Sequence, residues 1–259
     1  MTFTFNGIRM YYETGGEGEH TLLLLHGWGG SIASFLPVTR DLSPSLRVVI
    51  PDLPGFGKSD EPPADWNVDD YALLIAAFIK EVCHGKTDII AHSFGGRIAL
   101  RLSAMDEGLI GRQILTGCAG LLPKEDKEVK LKSKIAHSLS GVYDNRFTRT
   151  VLGTKTVDGI KEAVRSHFGS ADYRAASKTM REVFKNVVAQ DLEYCLKSVT
   201  ASTLLIWGEN DTATPLWMGQ KMEEEIKDAA LITFENAGHF AYIQQYGRFI
   251  AIAKQFLLS

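Results

Sequence analysis

Residues 89–96, Ile89-Ile90-Ala91-His92-Ser93-Phe94-Gly95-Gly96, decide the fold. Three apolar residues run up to His92 and Ser93, and two glycines open the helical stretch Gly96–Met105. A serine set between a strand and a helix, with small residues two positions to either side, is the pattern of a nucleophile elbow. The turn is so sharp that larger side chains at Ala91 or Gly95 would strike the neighbouring strand or helix. It lifts the Ser93 hydroxyl out of the backbone, at the positive end of the following helix. A free serine is a poor nucleophile and needs a base to take its proton. Histidine does this near neutral pH, and a carboxylate must hold the histidine in the right tautomer.

Working outward, the same apolar grammar repeats. Thr21–Leu25, Val48–Ile50, Ile114–Leu115, Leu204–Trp207 and Leu231–Phe234 are short apolar runs, most of them unbroken. Continuous rather than alternating runs suit strands covered on both faces, the condition of a parallel sheet. Helical stretches lie between them at Tyr71–Val82, Gly96–Met105, Trp217–Ile226 and Phe249–Leu258. Asn67, with Asp70 three positions on, reads as the N-cap of the first, a capping box with a shorter acid. Asn6-Gly7, between Phe3-Thr4-Phe5 and Ile8-Arg9-Met10, is a two-residue hairpin signal, so the chain opens on antiparallel strands. Strand–helix alternation predicts an α/β domain with right-handed crossovers.

One stretch breaks the alternation. From about Leu121 to Ser198 no strand-like run occurs and lysines become frequent, notably from Lys124 to Lys134. Leu131, Ile135 and Leu139 recur at helical spacing, as do Tyr173, Ala176, Met180, Val183, Phe184 and Val187 after a candidate N-cap at Ser170. The expected organisation is a core of residues 1–120 and 199–259, with 121–198 inserted as a helical cap.

Composition narrows the function. The chain has 259 residues, 45% hydrophobic and 23% charged, which are globular values. A net charge of −3 gives no electrostatic reason to expect nucleic acid or anionic lipid as a partner. The start lacks the basic and apolar regions of a signal peptide. The longest nearly apolar run, Tyr71–Ile79, is far short of a membrane span. Cys83, Cys118 and Cys195 are odd in number, far apart and without metal spacing, as in a reducing compartment, so a cytoplasmic location is expected. No HxH, HExxH or Cys/His cluster points to a metal, and Gly27, Gly29 and Gly30 lack the GxGxxG order of a dinucleotide loop.

In an open parallel sheet, ligands bind beyond the carboxyl ends of the strands. The segments that follow the apolar runs are His26-Gly27-Trp28-Gly29-Gly30, Asp52-Leu53-Pro54-Gly55-Phe56-Gly57-Lys58-Ser59, the serine elbow, Gly208-Glu209-Asn210-Asp211 and Asn236-Ala237-Gly238-His239. In this order, with Ser93, Asp211 and His239 in succession, the chain resembles the α/β-hydrolase superfamily over essentially its whole length. The resemblance implies an eight-stranded, mostly parallel sheet flanked by helices and bearing a helical cap. It implies Ser93 as nucleophile, His239 as general base and then acid, Asp211 as the orienting acid, and the backbone N–H groups of Trp28 and Phe94 as the oxyanion hole. Two departures stand out: Ala91 where glycine is usual, and Gln244-Gln245 where many relatives carry an acid and a proline.

Other residues near these segments read as structural. Asp52 braces the Pro54–Gly57 turn, and His26 and His92 pack or hydrogen-bond their loops. Gly117-Cys118-Ala119-Gly120 offers no carboxylate as an alternative acid. The expected activity is cofactor-free hydrolysis of small or medium-sized carboxylic esters, by a monomer or homodimer. Four alternatives remain. A methyl ester esterase acting on an acidic carrier protein would use the lysine-rich cap as its docking face. A carbon–carbon bond hydrolase of the same fold usually carries asparagine before the serine and proline in the oxyanion loop, where His92 and Gly29 stand. Proline iminopeptidase lacks its His-Gly-Gly-Pro-Gly pattern here. A ligand-binding relative without activity commonly loses a triad member, and none is lost.

Overall fold

A computed structural model describes residues 1–123 and 176–259. Residues Met1–Leu121 and Ala176–Ser259 form one compact unit, and Leu122–Ala175 groups separately. The expected helical pattern at Leu131, Ile135 and Leu139, the lysines from Lys124 to Lys134, the cap at Ser170, and Tyr173 all lie outside the described residues.

The chain opens with β1 (Thr2–Phe5) and β2 (Ile8–Gly15), paired antiparallel with Phe5 opposite Ile8. Asn6 and Gly7 both take positive φ, 50° and 82°. That is the turn whose twist matches the strands, and it favours Asn-Gly. Six further strands follow: β3 (Thr21–Leu25), β4 (Arg47–Pro51), β5 (Thr87–His92), β6 (Ile110–Thr116), β7 (Ser202–Gly208) and β8 (Ala229–Phe234). They build an eight-stranded sheet in the order β1-β2-β4-β3-β5-β6-β7-β8, antiparallel at β1–β2 and β2–β4 and parallel elsewhere.

Each unbroken apolar run feeds two cores. Leu23, Leu25, Ile89, Ala91, Leu115, Leu205 and Trp207 point to one face, which is covered by α2 (Val68–Phe78), α3 (Phe94–Met105) and α5 (Leu216–Glu225). Leu22, Leu24, Val48, Ile50, Ile90, Ile114, Leu204 and Ile206 point to the other, under α1 (Leu36–Leu42) and α6 (Tyr246–Leu258). With side chains alternating at period two and both faces dry, successive positions in the middle of a central strand are mostly apolar.

The predicted box at the start of α2 is present. The Asn67 side chain accepts from the Asp69 N–H, and Asp70 accepts from the Asn67 N–H at 2.8 Å. The helix then widens into a π-type turn over Ile79–Cys83 and stops at His84, which adopts φ 63°. The α4 helix (Lys178–Ala189) starts later than the sequence pattern implied, because the Ser177 hydroxyl accepts from the Met180 N–H at 3.1 Å. Ala176 therefore precedes the helix. Met180, Val183, Phe184 and Val187 do form its buried face. The α4 helix lies in the same compact unit as the sheet.

A buried cation ties α4 down. The Arg97 guanidinium, one turn beyond Ser93 and only 5% exposed, donates from Nη1 to the carbonyls of Val187 and Gln190, each at 2.6 Å. These carbonyls close the negative end of α4, where a cation is favoured. Burial pulls the guanidinium pKa down to about 10, so it is still charged at neutral pH. Arg97→Ala should leave both carbonyls unpaired and lower unfolding stability by about 2–4 kcal/mol, read as a shift of the urea midpoint.

Candidate active site

The centre of the site is a strained turn. Ser93, between β5 and α3, has φ 50° and ψ −105°, an unfavourable region for a residue with a side chain. The Ser93 N–H donates to the Thr116 carbonyl at 3.1 Å, and the Ser93 carbonyl accepts from Arg97 N–H and Ala119 N–H. Gly95 makes this turn feasible: a Cβ there would lie 2.2 Å from the Leu25 carbonyl oxygen. Ala91, fully buried in β5, fits its methyl group into the core, so the absent glycine two positions before the serine costs nothing in packing.

Beyond β7 the loop carries Asp211, whose side chain is fully buried and accepts four hydrogen bonds. Oδ1 takes the N–H groups of Ala213 and Thr214 at 2.8 and 2.9 Å, and Oδ2 takes the Thr214 hydroxyl at 2.8 Å and His239 Nδ1 at 2.9 Å. Burial alone would raise the pKa of this carboxyl, but the hydrogen bonds from His239 and Thr214, with the His239 charge, hold it below the ordinary carboxylate value. An ionised carboxylate only accepts, so the imidazole carries its proton on Nδ1 and leaves Nε2 as the lone-pair nitrogen. Gly117, at the end of β6, gives the pair its space: a Cβ there would sit 3.2 Å from both Asp211 Oδ2 and His239 Nδ1.

The histidine loop is fastened on two sides. Asn210 N–H donates to the Ala237 carbonyl at 2.8 Å, joining it to the acid loop. On the other side, Gly238 N–H donates to Gln244 Oε1 at 2.7 Å, and Gln245 Nε2 donates to the Glu235 carbonyl at 2.6 Å. The Gln244-Gln245 departure noted in the sequence thus has a role: the two amides clamp the segment leading into His239.

His92, the residue before the serine, bridges to the same loop. Its ring lies 4.7 Å from that of His239, and its Nε2 donates to the His239 carbonyl at 3.1 Å. Burial, reinforced by the neighbouring His239, lowers its pKa to about 3. It is therefore neutral and puts no like charge beside the His239 ring. His26 is also neutral, lowered to about 4 by burial; Leu53 N–H donates to its Nε2 at 2.9 Å and its Nδ1 donates to the Gly27 carbonyl at 2.8 Å. Both histidines hold loops, as their sequence contexts implied.

Trp28 and Phe94, expected to frame an oxyanion hole, stand side by side with rings 5.2 Å apart. Phe94 is the first residue of α3, where backbone N–H groups have no acceptor within the helix. Phe56 and Phe184 pack edge-on against Trp28 at 5.0 and 4.9 Å, giving an aromatic wall. Asp52 fixes the loop behind it: Oδ1 accepts from Ile32 N–H at 2.7 Å and Oδ2 from Lys58 N–H at 2.8 Å. Among the described residues no group of three or more His, Cys, Asp or Glu side chains could hold a metal ion, and no helix is long and apolar enough to cross a membrane.

The fold and this constellation define a class. The chain belongs to the alpha/beta hydrolase family, whose model matches residues 22–252. It is 25% identical to the 2-hydroxy-6-oxononadienedioate/2-hydroxy-6-oxononatrienedioate hydrolase 1 of Pseudomonas putida, over 96% of this chain and 92% of that one. Among solved structures, the enol-lactonase of Burkholderia xenovorans LB400 superposes with a TM-score of 0.75 at 19% identity, covering all of both chains. The meta-cleavage product hydrolase of Pseudomonas fluorescens IP01 gives a TM-score of 0.72 at 22% identity, covering 99% of this chain and 96% of that one.

The sequence reading passed over Thr214 and gave the two glutamines no role. An aspartate whose carboxylate accepts from N–H groups two and three residues on, with a hydroxyl at the third, is a recognisable local turn, and Asp211-Thr212-Ala213-Thr214 has that form. For the brace, Asp52→Ala should strand the buried Ile32 N–H and release the part-buried Lys58 N–H, lowering stability by about 1–3 kcal/mol, measured by denaturant unfolding.

Proposed function

We propose that the protein is a serine hydrolase that cleaves carboxylic esters of small or medium size through an acyl-enzyme intermediate on Ser93. The observation that carries this reading is the 2.9 Å contact between His239 Nδ1 and buried Asp211 Oδ2, on a loop tied to His92, the residue preceding the strained serine. Ser93 Oγ attacks the carbonyl carbon while His239 Nε2 takes its proton. Asp211 stabilises the imidazolium that results. Charge gathers on the former carbonyl oxygen, which the N–H groups of Trp28 and Phe94 receive; removal of one such donor typically costs about 10²–10³ in rate. The C–O bond then breaks and the alkoxide leaves with the proton from His239. Water attacks the acyl-enzyme by the same route, returning the proton to Ser93.

The aromatic wall of Trp28, Phe56 and Phe184 supports an apolar group beside the reacting carbonyl. A second reading is carbon–carbon bond hydrolysis of ring-cleavage products. It is favoured by the identity with the Pseudomonas putida hydrolase over 92% of that chain. A panel of nitrophenyl esters of increasing acyl length, run beside a 2-hydroxy-6-oxo-dienoate, separates the two. The first reading expects ester turnover to dominate and Ser93→Ala to abolish it; turnover of the dienoate alone would reverse the order. Asp211→Asn should lower kcat by about 10⁴-fold, the loss typical of a triad aspartate.

The pH dependence has a definite sign. Asp211 is held below the usual carboxylate range and stays ionised near neutrality, while a histidine base is lost when it takes up a proton. kcat/KM should therefore fall as the pH drops through the imidazole range, and a flat profile from about pH 5 to 8 would contradict the proposed base.

A further inference from the structure

We propose that Thr214 is a positioning residue that sets, through its hydroxyl, the charge Asp211 presents to His239. The inference rests on the reading of Asp211 and His239 as partners of Ser93, and concerns a residue which that reading does not require.

Thr214 is 1% exposed and grips both carboxylate oxygens of Asp211: its N–H donates to Oδ1 at 2.9 Å and its hydroxyl to Oδ2 at 2.8 Å. Oδ2 is also the oxygen that receives His239 Nδ1. The hydroxyl oxygen itself lies 3.3 Å from Nδ1 and 3.0 Å from the Gly117 carbonyl. A threonine hydroxyl has one hydrogen and several neighbours here. An O–H bond to a carboxylate is roughly twice as strong as one to a neutral carbonyl, so the hydrogen goes to Oδ2. Its oxygen then stands 3.3 Å from Nδ1, farther than the Oδ2 atom at 2.9 Å, so the effect carried through the carboxylate is the larger.

The consequence has a sign. A proton donor on Oδ2 withdraws charge from the oxygen that stabilises the imidazolium. Without it the carboxylate is more basic and holds the charged form of His239 more strongly, so the histidine titrates at higher pH. The titratable neighbours do not blur this effect. On β5, His92 is buried and neutral with its ring 4.7 Å away. On the β7 loop, Glu209 is exposed and its carboxylate accepts from Asn236 N–H. The end of β6 contributes the uncharged Gly117 carbonyl.

A residue that merely packed the loop would change stability or overall rate and leave the titration midpoint in place. The test is the NMR titration of the His239 ring protons, assigned by their loss in His239→Gln, alongside the pH profile of kcat/KM. Thr214→Val keeps the shape and removes the hydroxyl. It should raise the midpoint by about half a pH unit in both measurements. Thr214→Ser should match the wild type. An unmoved midpoint in the valine variant, or a serine variant that shifts as the valine one does, would overturn the proposal. If the valine variant does not fold, Thr214→Cys, a weaker donor, should shift the midpoint the same way, and no shift there would overturn it equally. The NMR arm needs no turnover: a shift without ester hydrolysis supports Thr214 while refuting the esterase reading, and Ser93-dependent hydrolysis without a shift refutes Thr214 alone.

Discussion

The backbone at Ser93 is the constraint around which the rest of the molecule is arranged. A non-glycine residue at φ 50°, ψ −105° persists only where its surroundings over-determine it. Here the Thr116 carbonyl holds its N–H, the Ala119 and Arg97 N–H groups hold its carbonyl, and Gly95 permits the helix to start against the Leu25 backbone. The parallel strands β3, β5 and β6 that supply these contacts are fixed by two dry cores, one on each face. Strand register thus reaches the Ser93 turn through a few backbone hydrogen bonds. The adjacent Arg97 extends the same elbow to the carbonyl end of α4, whose Phe184 rests on Trp28.

Around that turn, charge is rationed by burial. Three histidines lie at the carboxyl edge of the sheet, and two of them, His26 and His92, are driven neutral because burial outweighs the pull of Asp52 on the first and of Asp211 on the second. The third, His239, meets Asp211, a carboxylate kept ionised by four donors. Three imidazoles of the same chemistry are therefore given different partners by their surroundings: two brace loops, and the third faces a buried carboxylate.

Much of this was legible in the sequence, for a physical reason. A strand buried on both faces favours apolar residues at consecutive positions, so Leu22–Leu25 and Leu204–Trp207 announce themselves, and capping chemistry marks Asn67 and Asp70. The elbow is equally local, since small residues are needed within two positions of Ser93. Less visible were contacts made by ordinary polar residues across loops. Gln244 and Gln245 look like surface amides, yet they accept from and donate to the Gly238 and Glu235 backbone. Thr214 looks like a turn residue, yet its hydroxyl sits on the carboxylate oxygen that faces His239. The start of α4 shifted from expectation because helical periodicity continues past a helix end, while the Ser177 cap does not.

Covalent labelling tests the central claim most directly. The account holds that Ser93, activated by His239, is the nucleophile. Incubation with a fluorophosphonate, followed by peptide mass mapping, should place one phosphonyl group on Ser93, and His239→Ala should slow the labelling by orders of magnitude while the protein stays folded. A folded wild-type protein that resists the probe, or carries the label on another residue, would contradict it.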